Sequence, residues 1–110
     1  MADRSQPLTF SRLPQDQAAK HAWIGDAVLS LYVRLKILDK DGVLDGEKSI
    51  RMTSNRFLSS LGQPTRVEAE IGLVFEQAGL PAAFAWIEEH LMPLFIKQEE
   101  KRDRQRIRFR

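Results

Sequence analysis

Apolar residues recur at three- and four-residue spacing along most of the chain, which is the periodicity of helices with a buried face. In the first such segment, residues 16–38, the apolar positions nearly surround the predicted helix. They are Ala18, Ala19, Ala22, Trp23, Ala27, Val28, Leu31 and Leu35, widened by Ile24, Leu29, Val33 and Ile37. A helix of this kind must be covered on most sides. In a chain of 110 residues, a second subunit is one source of that cover.

Turn signals divide the rest of the chain into three further predicted helices. The second is expected over residues 47–61, the third over residues 63–78 and the fourth from Pro81 onward, with Gly62 and Gly79 as stops. Their expected buried residues are Ile50, Phe57, Leu58, Leu61, Phe84, Ile87, Leu91, Leu94 and Phe95. No segment alternates apolar and polar residues as a strand does. The predicted fold class is therefore all-α.

The composition limits the chemistry that the chain can carry. It has no cysteine and two histidines, which excludes disulfides and thiolate sites and disfavours structural zinc. If a metal binds, carboxylate oxygens must hold it, and those ligands suit Mg²⁺ or Mn²⁺. No apolar run is long enough to cross a bilayer, and the first residues are polar, unlike those of a signal peptide. We therefore expect a cytoplasmic protein with no membrane partner.

The net charge of +2 conceals an uneven distribution of charge. Residues 97–110 hold seven basic and three acidic residues, whereas residues 1–96 hold ten basic and twelve acidic residues. The chain is thus expected to divide into an extended lead (1–15), a helical domain (16–96) and a basic tail (97–110). Basic tails often bind polyanions such as RNA, and they also occur as solvated helix ends that aid solubility. Composition leaves both interpretations open.

The most informative feature is a carboxylate in the middle of the apolar first helix. Asp26 lies in the segment HAWIGDAVLSLYVR, residues 21–34. An ionised carboxylate is costly to bury unless it is paired, hydrogen-bonded or bound to a metal. The segment resembles the signature helix of the ribonuclease III family, most closely its small Mini-III branch, in which Gly-Asp-Ala-Val precedes Tyr-Val-Arg. The resemblance implies that Asp26 is a metal ligand.

A second segment, RVEAEIGLVF at residues 66–75, resembles the second signature of that family, in which Glu-Ala precedes Ile-Gly and an apolar run. Its Glu68 follows Asp26 in the family's order. Residues four apart share a helix face, so Ala22 shares a face with Asp26 and Gly72 with Glu68. Because small residues let helices approach closely, the two helices can cross with their carboxylates facing each other. Facing carboxylates repel unless a divalent cation lies between them.

Each carboxylate also has a purely structural interpretation. Gly25 is a potential break in the first helix, which would leave Asp26 as the N-cap of a separate second half. Thr65 and Glu68 fit a capping box, in which the Glu68 side chain bonds back to the Thr65 backbone. Taken singly, the residues leave the structural and catalytic interpretations open. Both signatures in one all-α chain favour membership of the family.

Other polar residues near these motifs are expected to be structural. Glu70 stands where the family usually has an apolar residue, and we expect its side chain to be solvated. Asp45 and Glu47 lie in a predicted loop, where a turn role is favoured over metal binding. His21 and His90 have no partner at ligand spacing and are interpreted as structural or surface residues.

The resemblance implies a fold, a reaction and partners. The fold is a ribonuclease III-like endonuclease-domain helical bundle, reduced in size. The function is metal-dependent cleavage of double-stranded RNA, with ribosomal RNA maturation as one setting, by a homodimer joined through the first long helix. Asp26 and Glu68 are the expected catalytic pair and the ligands of Mg²⁺ or Mn²⁺. The candidate RNA contacts are Arg34, Lys36, Arg56, Arg66, Lys101, Arg102, Arg104, Arg106 and Arg108.

The chain departs from full-length ribonuclease III in its acidic residues and in its length. Further acids of that enzyme are replaced here by Ala19, Ala22 and Thr65, and the Mini-III branch also lacks them. Glu68 follows Asp26 by only 42 positions, so a helix and a loop that help to hold RNA in the family are missing. The alternatives are therefore a non-catalytic RNA-binding or ribosome-associated dimer that keeps the fold, and an unrelated helical interaction module.

Overall fold

The computed structural model describes residues 14–108, apart from the Arg108 side chain, and its regular structure is entirely helical over that range. The helices are α1 (Gln15–Asp41), α2 (Gly46–Thr53), α3 (Asn55–Leu58), α4 (Pro64–Ala78), α5 (Leu80–His90) and α6 (Met92–Arg108). The prediction of an all-α fold is confirmed. All but the last two positions of the lead predicted over residues 1–15 fall outside the described residues. Between residues 14 and 108, no helix combines the length and apolar content needed to span a membrane.

Helix α1 is one continuous helix of 27 residues. It packs along α4 and also contacts α2 and α5. Its end is set by Gly42, whose left-handed backbone (φ 72°) lets its amide donate to the Leu38 carbonyl over 3.1 Å. Because the helix continues through Gly25, the interpretation of Asp26 as an N-cap is wrong.

The second predicted helix is divided into α2 and α3. Ser54 lies between them in an extended conformation, and its hydroxyl oxygen accepts the amide of Phe57 over 3.1 Å, which caps α3. Asp45 caps α2 in the same way, so its expected turn role is confirmed. Ile50 was expected to be buried, but it is 67% exposed. It lies about 200° around α2 from the buried Met52, so both cannot face the core.

Helix α4 matches its predicted span and begins at a different cap. The side chain of Gln63 accepts the amide of Arg66 over 2.9 Å, so the N-cap is Gln63 and Thr65 lies inside the first turn. The predicted capping box between Thr65 and Glu68 is therefore wrong. Gly79 ends the helix with φ 88°.

The fourth predicted helix is divided into α5 and α6 at Leu91. Pro93 follows two residues later and has no amide hydrogen, so it cannot continue the hydrogen-bond ladder of α5. Helix α6 then runs without interruption from the domain into the basic segment that begins at residue 97. The first two turns of α6 bury Met92 and Phe95 in the core.

The core is built by buried side chains from α1, α2, α3, α4, α5 and the start of α6. Of the nine side chains expected to be buried in the later helices, five are buried in the structure: Phe57, Leu58, Ile87, Leu91 and Phe95. Three more are half-buried: Leu61, Phe84 and Leu94. Aromatic rings meet edge to face within this core, as between Phe57 and Phe95, whose centroids lie 5.6 Å apart.

The apolar positions of α1 divide into a buried face and an exposed face. The exposed face carries Trp23, Ala27, Leu31, Leu35 and Leu38, spaced by four and three residues, and we call it the apolar stripe. Trp23 is 81% exposed. The monomer therefore covers only part of the helix that the sequence predicts to be covered on most sides.

Candidate metal centre

Helices α1 and α4 cross at two glycines whose missing side chains let the backbones touch, and we call this contact the glycine crossing. A Cβ atom placed on Gly25 would lie 2.7 Å from the carbonyl carbon of Glu68 and 2.9 Å from the amide nitrogen of Gly72. A Cβ on Gly72 would lie 2.9 Å from the carbonyl carbon of His21. These distances are far shorter than carbon contacts in packed proteins. Three buried alanines line the same contact: Ala18, Ala22 and Ala69.

The glycine crossing brings the carboxylates of Asp26 and Glu68 together. Asp26 follows Gly25 in α1, and Glu68 lies one turn before Gly72 in α4. The two side chains lie close enough to interact; Glu68 is half-buried and Asp26 is exposed. Burial, followed by the contact with Asp26 and its charge, raises the pKa of Glu68 to about 7. Near neutral pH the pair therefore readily holds one proton.

This pair has the donor chemistry that a hard divalent cation requires. Carboxylate oxygens are preferred ligands of Mg²⁺ and Mn²⁺, and a cation between them would remove the repulsion that favours protonated Glu68. Over the part of the chain that the structure describes, no cluster of three or more acidic or histidine side chains could hold a metal. Mg²⁺ is often held by one or two carboxylates and keeps several waters. Asp26 and Glu68 thus fit a two-ligand, solvent-accessible site.

A histidine contact supports the same crossing. Nδ1 of His21 lies 2.5 Å from Oε2 of Glu76. His21 precedes Asp26 on α1, whereas Glu76 follows Glu68 on α4, so the two helices are antiparallel. His21 therefore has the structural role expected for it, through a partner that lies 55 positions away in the sequence.

The other polar residues that we expected to be structural lie in different surroundings from those of Asp26 and Glu68. Glu70 is half-buried, with its Oε2 shielded from solvent, so the expectation that it is solvated is wrong. The reason is that α4 packs on α5 as well as on α1, which leaves little of it facing water. His90 packs against Trp86 with ring centroids 4.6 Å apart. Glu47 is exposed in the first turn of α2.

A polar network joins α1 to α5. The hydroxyl of the buried Tyr32 donates to the carboxylate of Glu88, and Nζ of Lys36 donates to the same carboxylate over 3.2 Å. Burial, then the bond to Glu88, raises the pKa of Tyr32, and the bond from Tyr32 lowers the pKa of Glu88. Lys36, one of the candidate RNA contacts, is therefore already paired.

The remaining candidate RNA contacts are distributed over several surfaces. Arg34 lies on α1 beside a shallow groove that includes Leu44, and Arg66 is half-buried in the first turn of α4. Three line one cleft between α6 and the junction of α2 with α3: Arg56, Lys101 and Arg102. Two are exposed on α6: Arg104 and Arg106. The side chain of Arg108 lies outside the described residues.

One ion pair positions α6 and could not be predicted from the sequence. Nε and Nη2 of Arg51 donate to the two carboxylate oxygens of Glu99 over 3.1 and 3.0 Å, which fixes α6 against α2. Residues 48 positions apart produce no local pattern, so no sequence signal could have identified this pair.

Comparison with known proteins yields no relative: no protein-family model, curated protein or solved structure matches the chain. The residues of the site and their geometry therefore carry the functional conclusion.

Proposed function

We propose that this chain is a metal-dependent endoribonuclease that cleaves double-stranded RNA, built as a reduced ribonuclease III-type domain of the Mini-III kind. The observation that carries the proposal is the meeting of Asp26 and Glu68 at the glycine crossing. These are the two acids that the ribonuclease III signatures single out. A helix pair needs no facing carboxylates for its own stability, because like charges in contact destabilise it.

The chain's own residues position the ligands. Backbone contact at the glycine crossing fixes the separation of α1 from α4, and hence the separation of the Asp26 and Glu68 side chains. Asp26 faces solvent, from which an RNA strand can approach. When bound, a divalent ion supplies a water of lowered pKa and offsets charge on the phosphate. Hydrolysis would add water to the phosphorus and break the bond to the 3′ oxygen, leaving a 5′-phosphate and a 3′-hydroxyl, as the resemblance implies.

The apolar stripe supports a homodimer through α1. Exposed apolar patches of this continuity mark interaction surfaces. Beyond the stripe, the α1–α2 connection and α2 add three further exposed apolar side chains: Val43, Leu44 and Ile50. A second copy of α1 would cover the face that the monomer leaves open.

The test is cleavage of a long double-stranded RNA by the purified protein with Mg²⁺ or Mn²⁺, compared with Asp26→Asn and Glu68→Gln. We expect cutting that needs the metal and falls at least a hundredfold in either variant, with 5′-phosphate ends. Glu70→Gln is the matched control, because it removes a carboxylate two positions from Glu68 on the same helix. Cutting that survives both substitutions, or an inert folded wild-type protein, would overturn the proposal.

Metal binding gives a second readout that does not depend on turnover. Mg²⁺ added above pH 7 should raise the Tm of the wild-type protein, because binding to the folded state alone stabilises it. Asp26→Asn should lose that increase, and Glu70→Gln should keep it.

A second candidate function is RNA binding without cleavage, in a dimer that keeps the same fold. The two-ligand site favours it, because no third acid joins Asp26 and Glu68 in the described portion of the chain. Salt-sensitive RNA retention by both the wild-type protein and Asp26→Asn, with no cutting by either, would support this candidate.

A further inference from the structure

Helix α6 separates its charged side chains by helix face. Four polar residues at helical spacing, none of them acidic, face the junction of α2 with α3: Gln98, Lys101, Arg102 and Gln105. The acidic residues lie on another side of the helix, toward three lysines of α1 and α2. These acids are Glu99, Glu100 and Asp103, and the lysines are Lys36, Lys40 and Lys48. The face of α6 toward the α2–α3 junction therefore carries Lys101 and Arg102 and no acidic residue.

That face forms one wall of a cleft with a volume of about 510 Å³. The opposite wall comes from α2, α3 and the residue between them: Arg51, Ser54 and Arg56. We call this space the basic cleft. Its lining includes four cationic side chains and no carboxylate.

Three of the four cations have no acidic partner among residues 14–108. Arg51 is neutralised by its two hydrogen bonds to Glu99. Arg56, Lys101 and Arg102 take part in no ion pair within the described range. Like charges in one cleft repel each other, and a bound anion relieves that repulsion. The polar residues between them, such as Gln98, add hydrogen-bond donors.

We propose that the basic cleft binds the phosphodiester backbone of a nucleic acid at a surface separate from the carboxylate pair. The choice of RNA as that nucleic acid rests on the proposed function. Arg and Lys contacts to successive phosphates supply affinity without reading sequence. A cleft with three unneutralised cations suits a chain of phosphates better than a single anion, because each phosphate brings one charge.

The cleft and the carboxylates are built by different elements. The cleft lies between α6 and the α2–α3 junction, whereas Asp26 and Glu68 project from α1 and α4. The cleft therefore retains RNA whether or not the carboxylates cut it. The segment between Asp26 and Glu68 is short relative to that of ribonuclease III, and the basic cleft provides RNA contacts from α6 instead.

The test is binding of a fluorescently labelled duplex RNA in EDTA, where metal-dependent cleavage cannot occur. The variant is Arg56→Gln combined with Lys101→Gln and Arg102→Gln. We expect its affinity at low salt to fall at least tenfold. The slope of log K against log salt should become shallower by about two to three, as expected for the loss of three phosphate contacts.

The matched control removes three cations from the same helix outside the cleft: Lys97→Gln, Arg104→Gln and Arg106→Gln. It should retain most of the wild-type affinity and salt slope. Equal losses in the two triple variants would overturn the cleft as a site, as would an unchanged affinity in the cleft variant or a wild-type protein that binds no RNA. Circular dichroism establishes that each variant is folded.

The result of this RNA-binding test can be distinguished from the result of the cleavage test of the proposed function. A wild-type protein that retains RNA through the cleft but never cuts it leaves the cleft proposal standing and removes the nuclease. Metal-dependent cutting by the wild-type protein, with no loss of RNA binding in the cleft variant, would remove the cleft proposal and leave the nuclease standing.

Discussion

Gly25 of α1 and Gly72 of α4 face each other at the point where the two helices cross. The backbone of each helix occupies the space that a side chain on the facing glycine would need. A Cβ on Gly25 would lie 2.9 Å from the Gly72 nitrogen, and a Cβ on Gly72 would lie 3.1 Å from the Gly25 nitrogen. This contact is rigid, because only main-chain movement can relieve it. The position of Asp26 relative to Glu68 is consequently set by the main chain.

Gly72→Ala should therefore destabilise the fold and disable the site together. The added methyl group must push α1 and α4 apart, at a cost of about 1–3 kcal/mol, as is typical of overpacking. Urea unfolding measures the loss, and the Mg²⁺-induced rise in Tm should vanish. Gly46→Ala is the control, since a Cβ there meets nothing within 4 Å. A Gly72→Ala protein with wild-type stability and metal response would contradict this account of the crossing.

The stability of the metal-free fold should fall as the pH rises from about 4.5 to about 7. Burial and the contact with Asp26 raise the pKa of Glu68 from its ordinary value of 4.5 to about 7. Across this window the folded chain holds a proton that the unfolded chain has released, so the stabilisation is complete in acid and is lost above pH 7. Solvent screening limits the change to about 1 kcal/mol.

Urea unfolding in EDTA at a series of pH values checks this dependence. Glu68→Gln cannot ionise, so it should flatten the profile in this window and be more stable than the wild-type protein above pH 7. Glu100→Gln, an exposed glutamate on α6, should leave the profile unchanged. Identical profiles for the wild-type protein and Glu68→Gln would mean that the two carboxylates do not interact in solution.

Tyr32→Phe should cost about 1 kcal/mol at neutral pH, because it removes one hydrogen bond to a charged carboxylate. The aromatic ring remains packed against Phe84, whose centroid lies 5.3 Å away. The bond from Tyr32 lowers the pKa of Glu88, so its contribution is present above the ordinary glutamate range and is lost in acid. A double-mutant cycle with Glu88→Gln should give a coupling of similar size that declines at low pH. Additive effects of the two substitutions on stability at pH 7 would contradict this coupling.

Charged substitutions in the apolar stripe should convert a dimer to a monomer. Leu31→Lys places a charge in the centre of the stripe, where it would be buried against the second copy of α1. Sedimentation equilibrium should give twice the monomer mass for the wild-type protein and the monomer mass for the variant. Ile107→Lys, at an exposed apolar position on α6, should remain dimeric. A wild-type protein that is monomeric at high concentration would exclude the α1 dimer.

The carboxylate pair is the part of the site that could be predicted from sequence. Asp26 is conspicuous in an apolar helix, and the four-residue spacing of small residues places Gly72 on the face of Glu68. The closeness of the crossing depends on Gly25, whose role was not predicted because a glycine in a helix also reads as a break. The local sequence cannot separate these two roles; the contact with α4 decides between them.

The polar pairs that connect the helices could not be predicted. His21 meets Glu76 and Tyr32 meets Glu88 across 55 and 56 positions, whereas helical periodicity relates only residues within a turn or two. The exposure of Leu31 has a similar origin, because periodicity identifies an apolar face without identifying what covers it. The break at Leu91 had a local sign in Pro93, since proline ends a helix shortly before its own position.

The unbroken course of α1 has a consequence for how the apolar stripe is placed relative to the carboxylate pair. Asp26 and Leu31 are five residues apart, about 8 Å along one rigid rod with no hinge between them. A partner that seats on Leu31 would therefore be held at a fixed distance along the helix from Asp26. In a dimer formed through α1, the two carboxylate pairs would stand at one fixed separation.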